Sequence, residues 1–315
     1  MNEGKKLISV IIPVLNEGEN VARCYETVKK ELVALSSGYD HEILFTDNRS
    51  SDKTFSIIKR LAEKDACVRA VRFSKNFGYQ RSIYTGYCLA RGDVAIQIDC
   101  DLQDPPSLIP QFLDKWRQGY QVVYGVRHTR KENGLVAALR GFFYRLIDFL
   151  SEDALPHDAG DFRLVDRKVL GQLKRLYDAD PYLRGTIATL GFEQAGIPYD
   201  RDPRAFGKSK FGLKNMMTLA VDGILNHSIV PLRLATLTGF IVSAGLVIYL
   251  GSLIFLMVFF HETWPRGFAT TAVLILISIS VNALFLGVIG EYLGRIYRQV
   301  KQRPITIIDE TVNLS

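Results

Sequence analysis

A chain of 315 residues can hold one large α/β domain plus further segments, so two parts rather than one are expected. Apolar residues make up 48% and mean hydropathy is +0.08, high for a soluble enzyme, and the excess collects between Leu234 and Gly290. A net charge of +6 suits nucleic acid or an anionic membrane, and apolar segments beside the basic residues favour the membrane over nucleic acid.

The opening MNEGKKLISVIIPV lacks the length and small-residue cleavage site of a signal peptide, so the catalytic part is expected in the cytosol. Cys24, Cys67, Cys88 and Cys100 show no C-x-x-C spacing and no neighbouring His, which points to free thiols in a reducing compartment. From Leu7, short apolar runs alternate with amphipathic stretches. Strands are expected at 7–14, 41–47, 68–74, 93–100 and 120–127, with helices near 19–36, 52–65, 78–90 and 107–118. Buried β-branched runs separated by helices predict a mostly parallel sheet covered on both faces. Ligands of such sheets sit beyond the carboxyl ends of the strands, where Asn16-Glu17, Asp47-Asn48 and Asp99-Cys100-Asp101 all fall.

Residues 139–150 and 213–229 are amphipathic, and each fits either the membrane interface or a helix packed on the sheet. Leu234–Phe260 and Phe268–Gly290 are uncharged runs of roughly 27 and 23 residues, each enough to span ~30 Å of hydrocarbon. The short link HETWPRG makes them a transmembrane hairpin. Lys208, Lys210, Lys214 and Arg233 precede it and Arg295, Arg298, Lys301 and Arg303 follow it, whereas the turn carries Arg266 alone. Both ends therefore face the cytoplasm, and Trp264 suits the opposite interface. The expected division is a catalytic domain over 1–210, an interfacial helix over 211–231, a hairpin over 232–291 and a cytoplasmic tail over 292–315.

Asp99-Cys100-Asp101 ends a strand and precedes Leu-Gln-Asp-Pro-Pro. Two carboxylates two residues apart on a curled backbone can approach one hard cation, Mg²⁺ or Mn²⁺, that also takes substrate phosphate oxygens. Such a cation offsets charge on a departing diphosphate. Asp47 lies at the second strand end, where a carboxylate can accept the imide N–H of uracil or guanine, while Asp52 and Thr54 read as a cap of the next helix.

Together the blocks IIPVLNEGEN, LFTDNRSSDKT and IQIDCDLQDPP resemble glycosyltransferase family 2, with its GT-A, Rossmann-like fold. Gln103-Asp104-Pro105, Asn76-Phe77-Gly78, Gly160-Asp161-Phe162-Arg163-Leu164, Gly207-Lys208-Ser209-Lys210-Phe211 and Gly290-Glu291-Tyr292-Leu293-Gly294-Arg295 extend the resemblance to the subgroup that transfers hexose to polyprenyl phosphates. Dolichol-phosphate mannose synthases share the first blocks, and the tail is most similar to the bactoprenol glucosyltransferases. The resemblance implies that Pro13, Leu15, Glu17, Phe45 and Asp47 hold the nucleotide. It implies that Asp99, Cys100 by its backbone, Asp101 and Gln103 surround the metal and diphosphate. Arg127 and Lys210 would reach phosphate oxygens, Arg140 the acceptor phosphate, and Asp161 would lie nearest the acceptor. An arginine fork suits phosphate on chemical grounds as well. A phosphate monoester is already largely ionised near neutral pH, so Asp161 is expected to orient the nucleophile or an arginine, or to pair with Arg163 or another cation.

Two positions depart from the family pattern. Arg49 stands where Gly is common, and Leu15 replaces a frequent aromatic, which leaves the donor open. UDP-glucose and undecaprenyl phosphate are the expected pair, with transfer of 4-deoxy-4-formamidoarabinose or mannose as the alternative. A processive synthase is disfavoured by the missing Q-x-x-R-W motif and channel helices. An inactive nucleotide-sugar-binding scaffold is disfavoured by the intact Asp99 and Asp101. Ser278, Ser280, Ala283 and Gly287 permit close helix contact, as a homo-oligomer would need.

Overall fold

The computed structural model describes residues 4–127, 159–201, 230–260 and 268–314. The amphipathic stretches 139–150 and 213–229, the link 261–267, Arg140 and Lys210 lie outside them.

The first half alternates as its periodicity predicts: β1 (Lys6–Val14), α1 (Val21–Ala34), β2 (Tyr39–Asp47), α2 (Thr54–Lys64), β3 (Val68–Phe73), α3 (Tyr79–Leu89), β4 (Val94–Gln97), α4 (Ile109–Arg117) and β5 (Val122–Arg127). Then follow β6 (Ala159–Asp166), α5 (Arg167–Leu173), α6 (Leu183–Thr189) and β7 (Gln194–Tyr199). The chain ends in α7 (Val230–Phe260), α8 (Phe268–Val300) and β8 (Ile308–Val312).

The strands form one sheet in the order β7-β5-β6-β4-β1-β2-β3-β8. β1 pairs in parallel with β2 and β4, β2 with β3, and β5 with β7, whereas β6 and β8 pair antiparallel with their neighbours. The two faces follow the strand period of two. Ile8, Val10, Ile12 and Val14 of β1 join the core under α1, α2 and α4, while Ile11 joins the core under α3, α5 and α6. Full burial of such side chains stabilises by about 1.5–3 kcal/mol each. Helix α3 comes close enough to β1 that a Cβ on Gly86 would stand 2.4 Å from Ile11 Cγ2, so glycine is what lets the helix settle there.

Residues 308–312, expected within a tail, instead form β8 on the outer edge of β3, with Val71 opposite Thr311 and Arg72 opposite Glu310. Asn313 Nδ2 donates to the carbonyls of Ala62 and Val68 at 3.1 and 2.9 Å, and Ser74 N donates to Ile307 O at 2.9 Å. The strand covers an edge that would otherwise present unpaired backbone groups. Arg49 adopts φ +65°, which explains why Gly is common at this position, and its guanidinium pairs with Asp309 of β8. Its charge is directed to the C-terminal strand.

The stretch Leu274–Val300 of α8, 27 residues with hydropathy 2.0 and none of it buried, is long and apolar enough to cross a membrane. Among the described residues it alone meets that test, since the apolar stretch described in α7 is the shorter Leu232–Gly245. The two helices touch where Gly239 faces the Phe285 ring.

Candidate active site

The loops after β1 and β2 are stitched together. Asn16, at φ +53°, donates its N–H to Ser50 Oγ at 2.9 Å and accepts from Ser51 N at 2.8 Å. Glu17 N reaches Thr54 Oγ1 at 2.8 Å, and Gly18 N reaches Asp52 Oδ2 at 3.0 Å. Asp52 also accepts from Thr54 N at 3.0 Å, so it ties the start of α2 to the β1 loop. Glu17 accepts from Asn20 Nδ2 at 2.7 Å; Pro13 is buried and Leu15 half-buried.

Asp47 is fully buried. Ser50 donates both N–H and Oγ to it, at 3.1 and 2.5 Å, and Arg72 Nε lies 3.3 Å away. Burial raises its carboxyl above the usual range against the pull of those partners. Its oxygens are thus engaged by its own turn. Phe45, expected at the nucleotide, lies with Ile43 on the strand face that enters the core and is fully buried, so its side chain offers no surface to a ligand.

At the end of β4 the chain curls through Leu102 at φ +55°. Asp99 Oδ1 accepts from Tyr79 OH at 2.5 Å and from Gln97 Nε2 at 2.9 Å. Asp101 accepts from Gln103 N at 3.2 Å, while Cys100 is buried in the core with Cys24, leaving its backbone for the site. Burial, and then the negative charges of Asp104, Asp101 and Asp161, push the Asp99 carboxyl up to about 6, with the Tyr79 hydrogen bond opposing them. Among the described residues Asp99 is held by neutral donors only. No group of three or more His, Cys, Asp or Glu side chains with metal-holding geometry occurs among the described residues. A cation here would rest on Asp99, Asp101 and Gln103, with substrate oxygens completing its shell; the Asp99 carboxylate, held by neutral donors, fits a hard divalent ion.

Asp104 is a buried anchor that sequence reasoning quoted in a motif but gave no role. It accepts from Tyr199 OH at 2.5 Å and lies 3.3 Å from Arg201 Nε and 3.5 Å from Arg127 Nη2. Arg127, in turn, donates through Nε to Tyr199 OH at 3.3 Å and lies over Gly160, where a Cβ would stand 3.1 Å from Nη2.

Asp161 is gripped from the other side. Arg184 donates Nε to Oδ1 at 2.9 Å and Nη2 to Oδ2 at 2.8 Å, and Gln80 Nε2 lies 3.4 Å from Oδ2. Burial would raise this carboxyl, but the charge and hydrogen bonds of Arg184, with Arg163 and Gln80, hold it down at about 2. Of the two expected partners, Arg163 or another cation, Arg184 is the one that pairs, while Arg163 contributes charge and donates to Gly160 O at 3.0 Å. Arg184, Tyr79, Gln97 and Arg201 went unnoticed in the sequence. Tyr79 and Gln80 directly follow Asn76-Phe77-Gly78, a signal that was available; Arg184 lies in no quoted pattern.

Acidic residues at the end of β4 thus lie beside two stitched strand-end loops on a mixed, mostly parallel sheet, the arrangement expected of a family 2 glycosyltransferase. Residues 9–174 match the model of glycosyl transferase family 2, and the chain belongs to that family. It is 38% identical over 307 residues, 97% of this chain and 94% of the relative, to the uncharacterized glycosyltransferase YkcC of Bacillus subtilis (strain 168). It is 35% identical to the uncharacterized glycosyltransferase sll0501 of Synechocystis, covering 96% of this chain and 95% of that one. To the SfII prophage-derived bactoprenol glucosyl transferase of Shigella flexneri it is 36% identical, over 96% of this chain and 98% of the relative.

Proposed function

We propose that the enzyme transfers a hexose, glucose from UDP-glucose, to undecaprenyl or another polyprenyl phosphate at the cytoplasmic face of a membrane, with inversion. The observation that carries this reading is near-full-length similarity to a bactoprenol glucosyl transferase, which includes the apolar α8 and not the catalytic domain alone. A polyprenyl tail stays in the bilayer, so the active site has to work at its surface. The whole chain is then a multi-pass membrane protein in which α7 and α8 form a hairpin and 1–210 is the cytoplasmic domain. Close contact between hairpins would make a homo-oligomer.

A lipid-phosphate oxygen attacks the anomeric carbon as the bond from that carbon to the nucleoside diphosphate breaks, and the electron pair leaves on the diphosphate oxygen. The phosphate monoester dianion becomes a diester monoanion and UDP departs with one more negative charge, so no proton has to move. Mg²⁺ or Mn²⁺, held by Asp99, Asp101 and Gln103, supplies Lewis-acid neutralisation of the diphosphate when bound. Pro13, Leu15, Glu17 and Asp47 shape the nucleotide site from the β1 and β2 loops. Arg127, presented by Asp104 and Tyr199, offers its fork to phosphate oxygens. Lys210 and Arg140 serve the diphosphate and the acceptor phosphate.

The test is incubation of the purified full chain in detergent with undecaprenyl phosphate, Mg²⁺ or Mn²⁺, and radiolabelled UDP- and GDP-sugars. Metal-dependent label in the organic phase from UDP-glucose, lost in Asp99→Ala and Asp101→Ala, is the expected result. No lipid-linked product from any donor would overturn the reading.

A further inference from the structure

Two anionic substrates must be held apart in such a site, and the carboxylate pair at the end of β4 can serve one of them. The other side of the site has its own cation. Arg184, on α6, is 31% exposed at the side chain, whereas Asp161, its bidentate partner, is 9% exposed. Of the five guanidinium N–H donors, the one on Nε and one of the two on Nη2 face Asp161. Nη1 has no partner among the described residues. The arginine is thus fixed from behind, with its remaining edge without a partner among the described residues.

Its surroundings are built to keep it there. Gln80 Oε1 accepts from Leu183 N at 3.2 Å while Gln80 Nε2 approaches Asp161, so one side chain links α6 to the carboxylate. The neighbouring Tyr79 reaches Asp99, which sets the Asp161–Arg184 pair beside the metal-type carboxylates through adjacent residues of α3. Arg127 lies against Gly160, the residue before Asp161, and is close enough to Arg184 for the two charges to repel. Two guanidiniums near enough to repel, each held by its own carboxylate, can share a further anion.

We propose that Arg184 is a binding residue for the phosphate monoester of the acceptor, and that Asp161 is the positioning residue that presents it, not a base. The inference rests on the reading of the enzyme as a polyprenyl-phosphate glycosyltransferase. A planar guanidinium with one edge pinned is pre-organised for a two-point grip on phosphate. Asp161 has no proton to remove, since the attacking dianion carries none. Its lowered pKa, held down by Arg184, agrees with a carboxylate committed to a cation.

The test compares Arg184→Lys, Arg184→Gln and Asp161→Asn with the native full chain in detergent, varying undecaprenyl phosphate and UDP-glucose separately. Arg184→Lys is expected to raise KM for the lipid at least ~tenfold, with KM for UDP-glucose within about twofold, because a point charge replaces the fork. Asp161→Asn should also raise the lipid KM and leave the pH profile of kcat unshifted. An unchanged lipid KM in the Arg184 variants, or a raised UDP-glucose KM instead, overturns the assignment. So does an Asp161→Asn enzyme that loses kcat ~10³-fold at unchanged lipid KM, the signature of a lost base. If a single variant no longer binds UDP with Mn²⁺, the neutral pair Asp161→Asn/Arg184→Gln is read by the same criteria. Equilibrium binding of radiolabelled undecaprenyl phosphate needs no turnover. A native chain that binds the lipid ~tenfold more tightly than Arg184→Lys, yet glycosylates it from no donor, would sink the proposed reaction and keep the phosphate site.

Discussion

Arg298, in the last turn of α8, donates through Nε to Asp180 of the catalytic domain at 2.8 Å. Asp180 also accepts from Arg81 of α3 at 2.5 Å, and Gln299 Oε1 takes the N–H of Ala179 at 2.9 Å. The apolar helix therefore ends on the same segment that braces α3, whose first residues touch Asp99 and Asp161. A short stretch then carries the chain to β8.

The two halves of this attachment differ in strength. The Arg298–Asp180 pair is 48% and 36% exposed, so Asp180→Ala should cost no more than ~1 kcal/mol, a small change in melting temperature in detergent. Truncation before Ile305 removes β8, bares the β3 edge, and should lower the melting temperature by several degrees and promote aggregation, read by light scattering. A truncated chain that melts like the full chain would contradict the structural role of β8.

Asp104→Asn keeps an acceptor for Tyr199 but releases the charge that anchors Arg127 and Arg201. Transfer activity should fall about 10- to 100-fold, as expected when a site loses 1.4–3 kcal/mol of charge-assisted positioning, while UDP binding in the presence of Mn²⁺ survives. Tyr199→Phe should be milder, because it removes a neutral link between Asp104 and Arg127.

Gly160→Ala tests the same arginine without touching its partners. The added methyl would meet only the mobile end of Arg127, at 3.1 Å, so the melting temperature should move by less than ~2 °C while activity drops. Loss of fold instead of activity would place the constraint in the backbone.

Asp65 accepts from Lys29 Nζ at 2.8 Å, Tyr25 OH at 2.7 Å and Cys67 N at 2.9 Å. Burial opposes ionisation, but these partners hold its carboxyl down at about 2, as Arg184 does for Asp161. A carboxyl lowered from 3.8 to about 2 contributes stability that is fully present above pH 4 and lost as pH falls toward 2. Melting curves between pH 5 and 2 should therefore fall steeply, and Asp65→Asn should flatten that fall while lowering stability at neutral pH. Curves of equal slope for both proteins would refute it.

The expected strands and helices from β1 to β5 lie within two or three residues of the observed ones, and the acidic motif falls at the end of β4 as read. Local burial is recorded along the chain: alternation in Ile8, Val10 and Ile12, or the long uncharged run in α8, reports which side of an element meets water or lipid. By itself the sequence thereby determined the layered α/β domain, the strand-end edge on which its acidic motif lies, its family and an apolar C-terminal helix. Which residue answers which across that edge is another matter. Asp104 meets Tyr199, Asp161 meets Arg184, and Arg49 meets Asp309, partners separated by 95, 23 and 260 positions. Those meetings depend on β6 running backwards between β4 and β5, and on β8 returning to β3. Strand order and register decided them, because periodicity fixes the face on which a side chain lies but carries no record of its distant neighbour.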